Sequence, residues 1–155
     1  MNKNKNPEEN YPWKAIRVLI VDDNDAFRKV VSRFLTDDEQ GRIGRVRTAK
    51  DELDTLAQAR ALQPHVVLVD MDFPKRVSLE IIRQLRSLLP EAVILATTLH
   101  DAFALQFCRE TASTFGADDV LLKSSLIAEL FPAIERHLPP QARDLALVVS
   151  YEAHD

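Results

Sequence analysis

The chain is 155 residues long, 46% hydrophobic and 28% charged, which suits one soluble domain with a core of its own. A net charge of −4 argues against the broad basic character of a nucleic-acid binder, and Cys108, the only cysteine, excludes an internal disulfide or a cysteine-based metal knuckle. No apolar stretch approaches the roughly 18 residues of a membrane span, and no apolar run follows the N-terminal lysines as in a signal peptide, so a cytoplasmic protein is expected.

Residues 1–13 (MNKNKNPEENYPW) are rich in Asn, Lys, Glu and Pro and read as a flexible tail. Strand-like runs then fall at residues 16–21, 43–48, 66–70, 92–97 and 120–122. The third is apolar almost throughout, as in a strand covered on both faces. Helical stripes lie between and after them. Phe27, Val30, Val31, Phe34 and Leu35 make the first, with Asp25 as its expected N-cap. Leu53, Leu56, Ala57, Ala61 and Leu62 make the second, and Leu79, Ile82, Leu85, Leu88 and Leu89 the third. Phe103, Phe107 and Ala112 suggest a fourth, with Cys108 beside it as a small core residue. Leu126, Leu130, Ile134 and Leu138 give the last, with Pro132 inside it and Pro139–Pro140 ending it. Five β-α units in strict alternation predict an α/β fold, a doubly wound five-stranded parallel sheet.

In such a sheet the strand C-termini share one edge, where open α/β folds bind ligands. Asp22 and Asp23 end the first run, Asp70 the third, Thr97 the fourth, and Lys123 follows the fifth. Two carboxylates about 5 Å apart at an effective dielectric near 20 repel by roughly 3 kcal/mol, so a cation belongs among them, and Mg²⁺ is the natural candidate. Asp70 is a candidate nucleophile, because a carboxylate can form an acyl phosphate. Phosphoryl transfer needs positioning, a metal and donors to the equatorial oxygens, and Asp22, Asp23, Lys123 and Thr97 are residues of those types. Taken singly, each has a plainer reading as a turn, cap or surface residue; the set of strand-end positions carries the argument. The arginines Arg42, Arg45 and Arg47 read as a solvated basic face, and the four histidines show no metal-ligand spacing.

Residues 18–23 (VLIVDD), 70–74 (DMDFP), 96–97 (AT) and 116–125 (GADDVLLKSS) together resemble the receiver domain of two-component response regulators, over residues 15–138. The resemblance implies a (βα)5, flavodoxin-like and CheY-like fold, with a tail over 1–13, the receiver over 14–139 and an extension of unknown role over 140–155. It implies that Asp70 accepts a phosphoryl group from a histidine kinase or phosphotransfer protein. Mg²⁺ would be held by Asp22, Asp23, Asp70 and the Asp72 backbone carbonyl, with Lys123 and Thr97 serving the phosphoryl group. The chain would then be a phosphoacceptor rather than an enzyme with a separate substrate. Its partners would be that donor and either a downstream protein target or an output domain outside these residues, since too few residues follow Pro140 for a DNA reader. Direct nucleic-acid contact is not expected, and a homodimer stays open.

The sequence departs from the family pattern at Val120, where an aromatic is common, at Ser78 for glycine, and at Ser124 for proline. The stretch from Thr97 to Lys123 is longer than typical by about one helical turn of 3.6 residues. Two other readings stand beside this one. A degenerate receiver would keep the fold as an interaction module without phosphorylation. A haloacid-dehalogenase-type phosphatase would use Asp70 as nucleophile and Asp72 as general acid–base, but it would leave Asp22 and Asp23 without a role.

Overall fold

Short β-branched apolar runs alternate with amphipathic stretches opened by Asn24 and Asp51 side-chain caps. The chain folds accordingly. The computed structural model describes residues 16–72, 75–101 and 104–138. In chain order it contains β1 Ile16–Val21, α1 Asp25–Thr36, β2 Ile43–Ala49, α2 Glu52–Leu62, β3 Val66–Asp70 and α3 Lys75–Leu88. Next come β4 Val93–Thr98, α4 Leu105–Phe115 and β5 Asp119–Leu122, then a 3₁₀ turn over Lys123–Ser125 that leads into α5 Leu126–His137. All strand pairings are parallel and the sheet order is β2-β1-β3-β4-β5. Sheet order reverses at β1, so the crevice between the C-terminal ends of β1 and β3 is where such a fold receives a ligand.

Alternation along the central strands divides the core. Leu19, Val21, Val67, Val69 and Ile94 face the layer that contains Ile81, Ile82, Leu85 and Cys108. Val18, Ile20, Leu68 and Leu95 face the layer that contains Val31, Leu35, Leu126, Leu130 and Ile134. A sheet covered on both faces explains why these strands read as continuous apolar runs.

Several sequence expectations need correction. Asn24, not Asp25, caps α1: its side chain accepts the Phe27 N–H at 2.9 Å. Asp25 is the first helical residue and pairs with Arg28 and Lys29. Of the stripe expected for α2 only Leu62 is buried; Thr55 and Ala59 share its inward face, while Leu53 is 83% exposed. A helix buries whatever its seat on the sheet turns inward, small residues included, and counting leucines selected another face. Val30 and Phe107 are likewise 59% and 61% exposed. Arg42 does not belong to a solvated face: it grips Asp38 through two nitrogens, reaches Glu135 and lies 3.7 Å over the Phe131 ring. Residues 1–15, Phe103, Pro74 and everything after Leu138 lie outside the described residues, and with them the tail, the extension and the Pro139–Pro140 stop.

Candidate functional site at the sheet edge

The C-terminal ends of β1 and β3 deliver Asp22 and Asp70 to the crevice, and the turn after β5 delivers Lys123. Asp22 is fully buried and Asp70 nearly so, whereas Asp23 is exposed. Carboxylate oxygens of Asp22, Asp23 and Asp70 lie within 4.8 Å of one another. The Lys123 ammonium sits among them, 2.7 Å from Asp22 Oδ2 and 3.2 Å from Asp70 Oδ1, with its side chain 9% exposed.

Backbone donors fix the carboxylates. The Asn24 N–H donates to Asp22 Oδ1 at 2.8 Å and the Asp72 N–H to Asp70 Oδ1 at 2.9 Å. Asp22 Oδ2 is different: it is buried and makes no hydrogen bond of acceptable angle, although the ammonium stands at 2.7 Å as its counter-charge. Three carboxylates against one ammonium leave two negative charges uncompensated. Hard oxygen donors around a surplus of that size fit a divalent cation of the Mg²⁺ type.

These surroundings bias protonation. Burial, joined by the charge of Asp22, pushes the Asp70 carboxyl above the usual carboxylate range, against the Asp72 N–H and the Lys123 charge, which pull it down. For Lys123, burial works toward a lower value, but the close pairing with Asp22 and the charge of Asp70 outweigh it and raise the value. Asp70 is therefore a buried carboxyl at a strand end, 3.2 Å from the Lys123 ammonium.

Of the other residues singled out in the sequence, Thr97 is buried and stands opposite Asp70 in the β3–β4 register. Met71 N–H donates to the Thr97 carbonyl at 2.8 Å and closes that end of the pair. The Asp72 side chain turns instead to the loop after β4, accepting from Thr98 Oγ1 at 3.1 Å and from the Leu99 N–H at 2.7 Å. The structure thus brings Asp22, Asp23, Asp70 and Lys123 together, with Thr97 on the neighbouring strand. Val120 is 1% exposed in the core and Ser78 is wholly buried in α3, so both departures from the family pattern are packing positions here.

Sequence reading missed three contributors. Thr98 follows a residue already assigned and was passed over. Arg28, whose guanidinium donates to the Asp22 carbonyl at 2.7 Å, belongs to no motif and was not singled out. Phe27 packs against the core as its stripe predicts, and its ring centroid also lies 4.5 Å from Lys123 Nζ, a contact the stripe does not show.

Comparison with known proteins agrees with this geometry. The model of the response regulator receiver domain matches residues 18–135. The response regulator GacA of Pseudomonas viridiflava is 33% identical over 141 residues, covering 85% of this chain and 63% of that protein. GacA of Pseudomonas protegens is 30% identical over 145 residues, or 88% of this chain and 65% of that protein, so the chain spans less than two thirds of these relatives. Among solved structures, Vibrio cholerae chemotaxis protein CheY4 superposes with a TM-score of 0.68 at 26% identity, covering 79% of this chain and 98% of that one. A Burkholderia pseudomallei response regulator, described with a phosphorylated aspartic acid, a calcium ion and citrate, superposes with a TM-score of 0.66 at 25% identity, covering 89% and 75%. Fold, site geometry and family model coincide over the same residues, and the chain belongs to the response regulator receiver domain family.

Proposed function

We propose that Asp70 is the phosphoacceptor of this receiver and takes its phosphoryl group from the phosphohistidine of a kinase or phosphotransfer protein. The observation that carries the reading is the Lys123 ammonium held between Asp22 and Asp70, 2.7 and 3.2 Å away, beside a buried carboxylate oxygen with no aligned donor. The phosphorylated aspartic acid and calcium ion named for the Burkholderia pseudomallei relative support it.

An Asp70 carboxylate oxygen forms a bond to phosphorus as the donor's P–N bond breaks, and the imidazole leaves with the electron pair. Asp22, Asp23 and Asp70 would hold Mg²⁺, with the Asp72 carbonyl as a further oxygen. When bound, the ion neutralises phosphoryl charge. Lys123 supplies the permanent positive charge that draws the phosphoryl oxygens, and Thr97, across the register from Asp70, offers its hydroxyl to them. The new anion at this edge biases the loop after β4, and through it a partner-binding surface. The partner is a downstream protein or an output domain, and the setting is the cytoplasm. Residues 1–13 and 140–155 flank the receiver as tail and extension.

The test is intact mass after incubation of the chain with Mg²⁺ and acetyl phosphate, beside Asp70→Asn. A gain of one phosphoryl group, lost in the variant and without Mg²⁺, is expected. Absence of any gain with donor unconsumed marks a degenerate receiver, and donor consumed without an adduct marks phosphatase-like turnover.

A further inference from the structure

Among the described residues, Lys123 is the cation that touches both Asp22 and Asp70. Two carboxylates satisfy its charge but do not fix where it stands, because a lysine is a point charge on a flexible four-carbon stem. Its third neighbour is aromatic: the Phe27 ring centroid lies 4.5 Å from Nζ. The face of a ring attracts an ammonium, and more strongly where water is largely excluded, as it is from a side chain 9% exposed.

The ring is itself well placed to act as a stop. The Phe27 N–H is the group capped by the Asn24 side chain at 2.9 Å, so the first turn of α1 is fixed where the ring departs. The next residue, Arg28, ties that turn to the end of β1 through the Asp22 carbonyl at 2.7 Å. One short segment therefore carries both the acidic pair and the aromatic neighbour of the lysine.

Phe27 also differs from the carboxylates in what it asks of Lys123. A ring face accepts no hydrogen bond of ordinary strength, so it does not compete with a phosphoryl oxygen for the ammonium protons. The carboxylates do compete, and at least one contact must be exchanged when an anion arrives at Asp70. The ring contact needs no exchange.

We propose that Phe27 is a positioning residue for Lys123: its ring keeps the ammonium at the Asp70 edge while the phosphoryl group is taken up. The proposal rests on the reading of Asp70 as phosphoacceptor. It assigns no proton transfer and no metal contact to Phe27.

The experiment compares the full chain with Phe27→Tyr, Phe27→Trp, Phe27→Met and Phe27→Leu. Acetyl phosphate and Mg²⁺ are the probe, and the rate of mass gain is followed across donor concentrations. In that reaction an Asp70 oxygen bonds to phosphorus while the acetyl–oxygen–phosphorus link breaks at phosphorus, and acetate leaves with the electron pair. A second readout is the Lys123 ε-CH₂ proton shift by NMR, which a ring this close moves upfield. Tyr and Trp are expected to keep the maximal rate within about twofold. Met and Leu are expected to lower it about five- to tenfold at unchanged half-saturating donor, with the ε-CH₂ signal returning downfield. A rate that is unaffected by loss of the ring, or that follows side-chain volume instead, overturns the proposal. Should Phe27→Leu fail to fold, Phe27→Met carries the comparison. A wild-type chain that gains no phosphoryl group fails at Asp70 and takes the proposal with it, whereas a wild type that gains it with an unimpaired Phe27→Met overturns the role of Phe27 alone.

Discussion

The Asp72 carboxylate accepts the Leu99 backbone N–H at 2.7 Å and so straps the loop after β3 to the loop after β4. Thr98 Oγ1 adds a second tie at 3.1 Å and in turn accepts the His100 N–H at 3.1 Å. A residue two positions from Asp70 thus holds the segment that follows Thr97. Val120 is buried where an aromatic is common in the family, and this strap ties the residue two beyond Asp70 to the C-terminal end of β4.

Asp72→Ala removes both ties and leaves the Leu99 N–H without its acceptor. Loss of a hydrogen bond to a charged group costs about 1.5–3 kcal/mol. Amide exchange at Leu99 should accelerate by at least about tenfold, while amides in β1 and β3 keep their protection apart from any global loss. Unchanged exchange at Leu99 would show that the strap does not hold the loop.

Asp70→Asn should stabilise the apo fold at neutral pH. Burial, then the charge of Asp22, raises the Asp70 value above 3.8 in the folded state despite Lys123. A group raised by folding favours the fold below its unfolded value and costs stability as pH climbs through the folded value. The neutral amide removes that cost, about 1 kcal/mol or a 2–4 °C rise in Tm. The advantage should vanish as pH falls to about 4. Thermal melts of both proteins across pH check it.

His65 gives the opposite pH dependence. Its Nδ1 accepts the Arg17 N–H at 3.0 Å, so the neutral ring suits the fold. Burial first, and then the Arg17 charge, hold its value below 6.5. Stability is complete above that unfolded value and is lost as pH falls from about 6.5 toward the lower folded value. In urea titrations, His65→Gln should flatten this part of the profile relative to wild type.

Mg²⁺ should raise Tm, and Asp23→Asn should remove most of that rise. Asp23 is exposed, so its loss spares the core while taking one of three clustered carboxylates. At an ion concentration tenfold above Kd the gain is about 1.4 kcal/mol. A variant that keeps the full Mg²⁺ shift would remove Asp23 from the ligand set.

Gly116 ends α4 at φ 116°, where an added Cβ would meet Arg86 Cβ at 2.8 Å and Cγ at 2.9 Å. Arg86 is not free to give way, since its Nε donates to the Gly116 carbonyl at 2.8 Å and its Nη2 meets Asp118 at 2.8 Å. Gly116→Ala should cost about 1–3 kcal/mol in chemical denaturation, from strain and collision together.

The sequence by itself determined the five alternating units, because strand and helix periodicities are local and each run was bounded by its own turn chemistry. β1 and β3 match their expected limits, while β4 moved by one residue and β2 and β5 each grew by one. It also determined which chemistry gathers at the edge: in a parallel sheet every strand end lies on one side, so Asp22, Asp70 and Lys123 had to converge. Only the tertiary structure decided how α2 rolls, which placed Thr55 and Ala59 inside and Leu53 outside, because the seat on the sheet sets that angle and leucine spacing does not. Only it could bring Phe27, which packs against the core, beside Lys123, 96 residues on, and turn Arg42 from a surface charge into a clamp on Asp38 and Phe131. The ring contacts of Lys123 and Arg42 join segments far apart in the chain, and their direction depends on helix rotation and side-chain reach, neither of which is written in any single stretch of sequence.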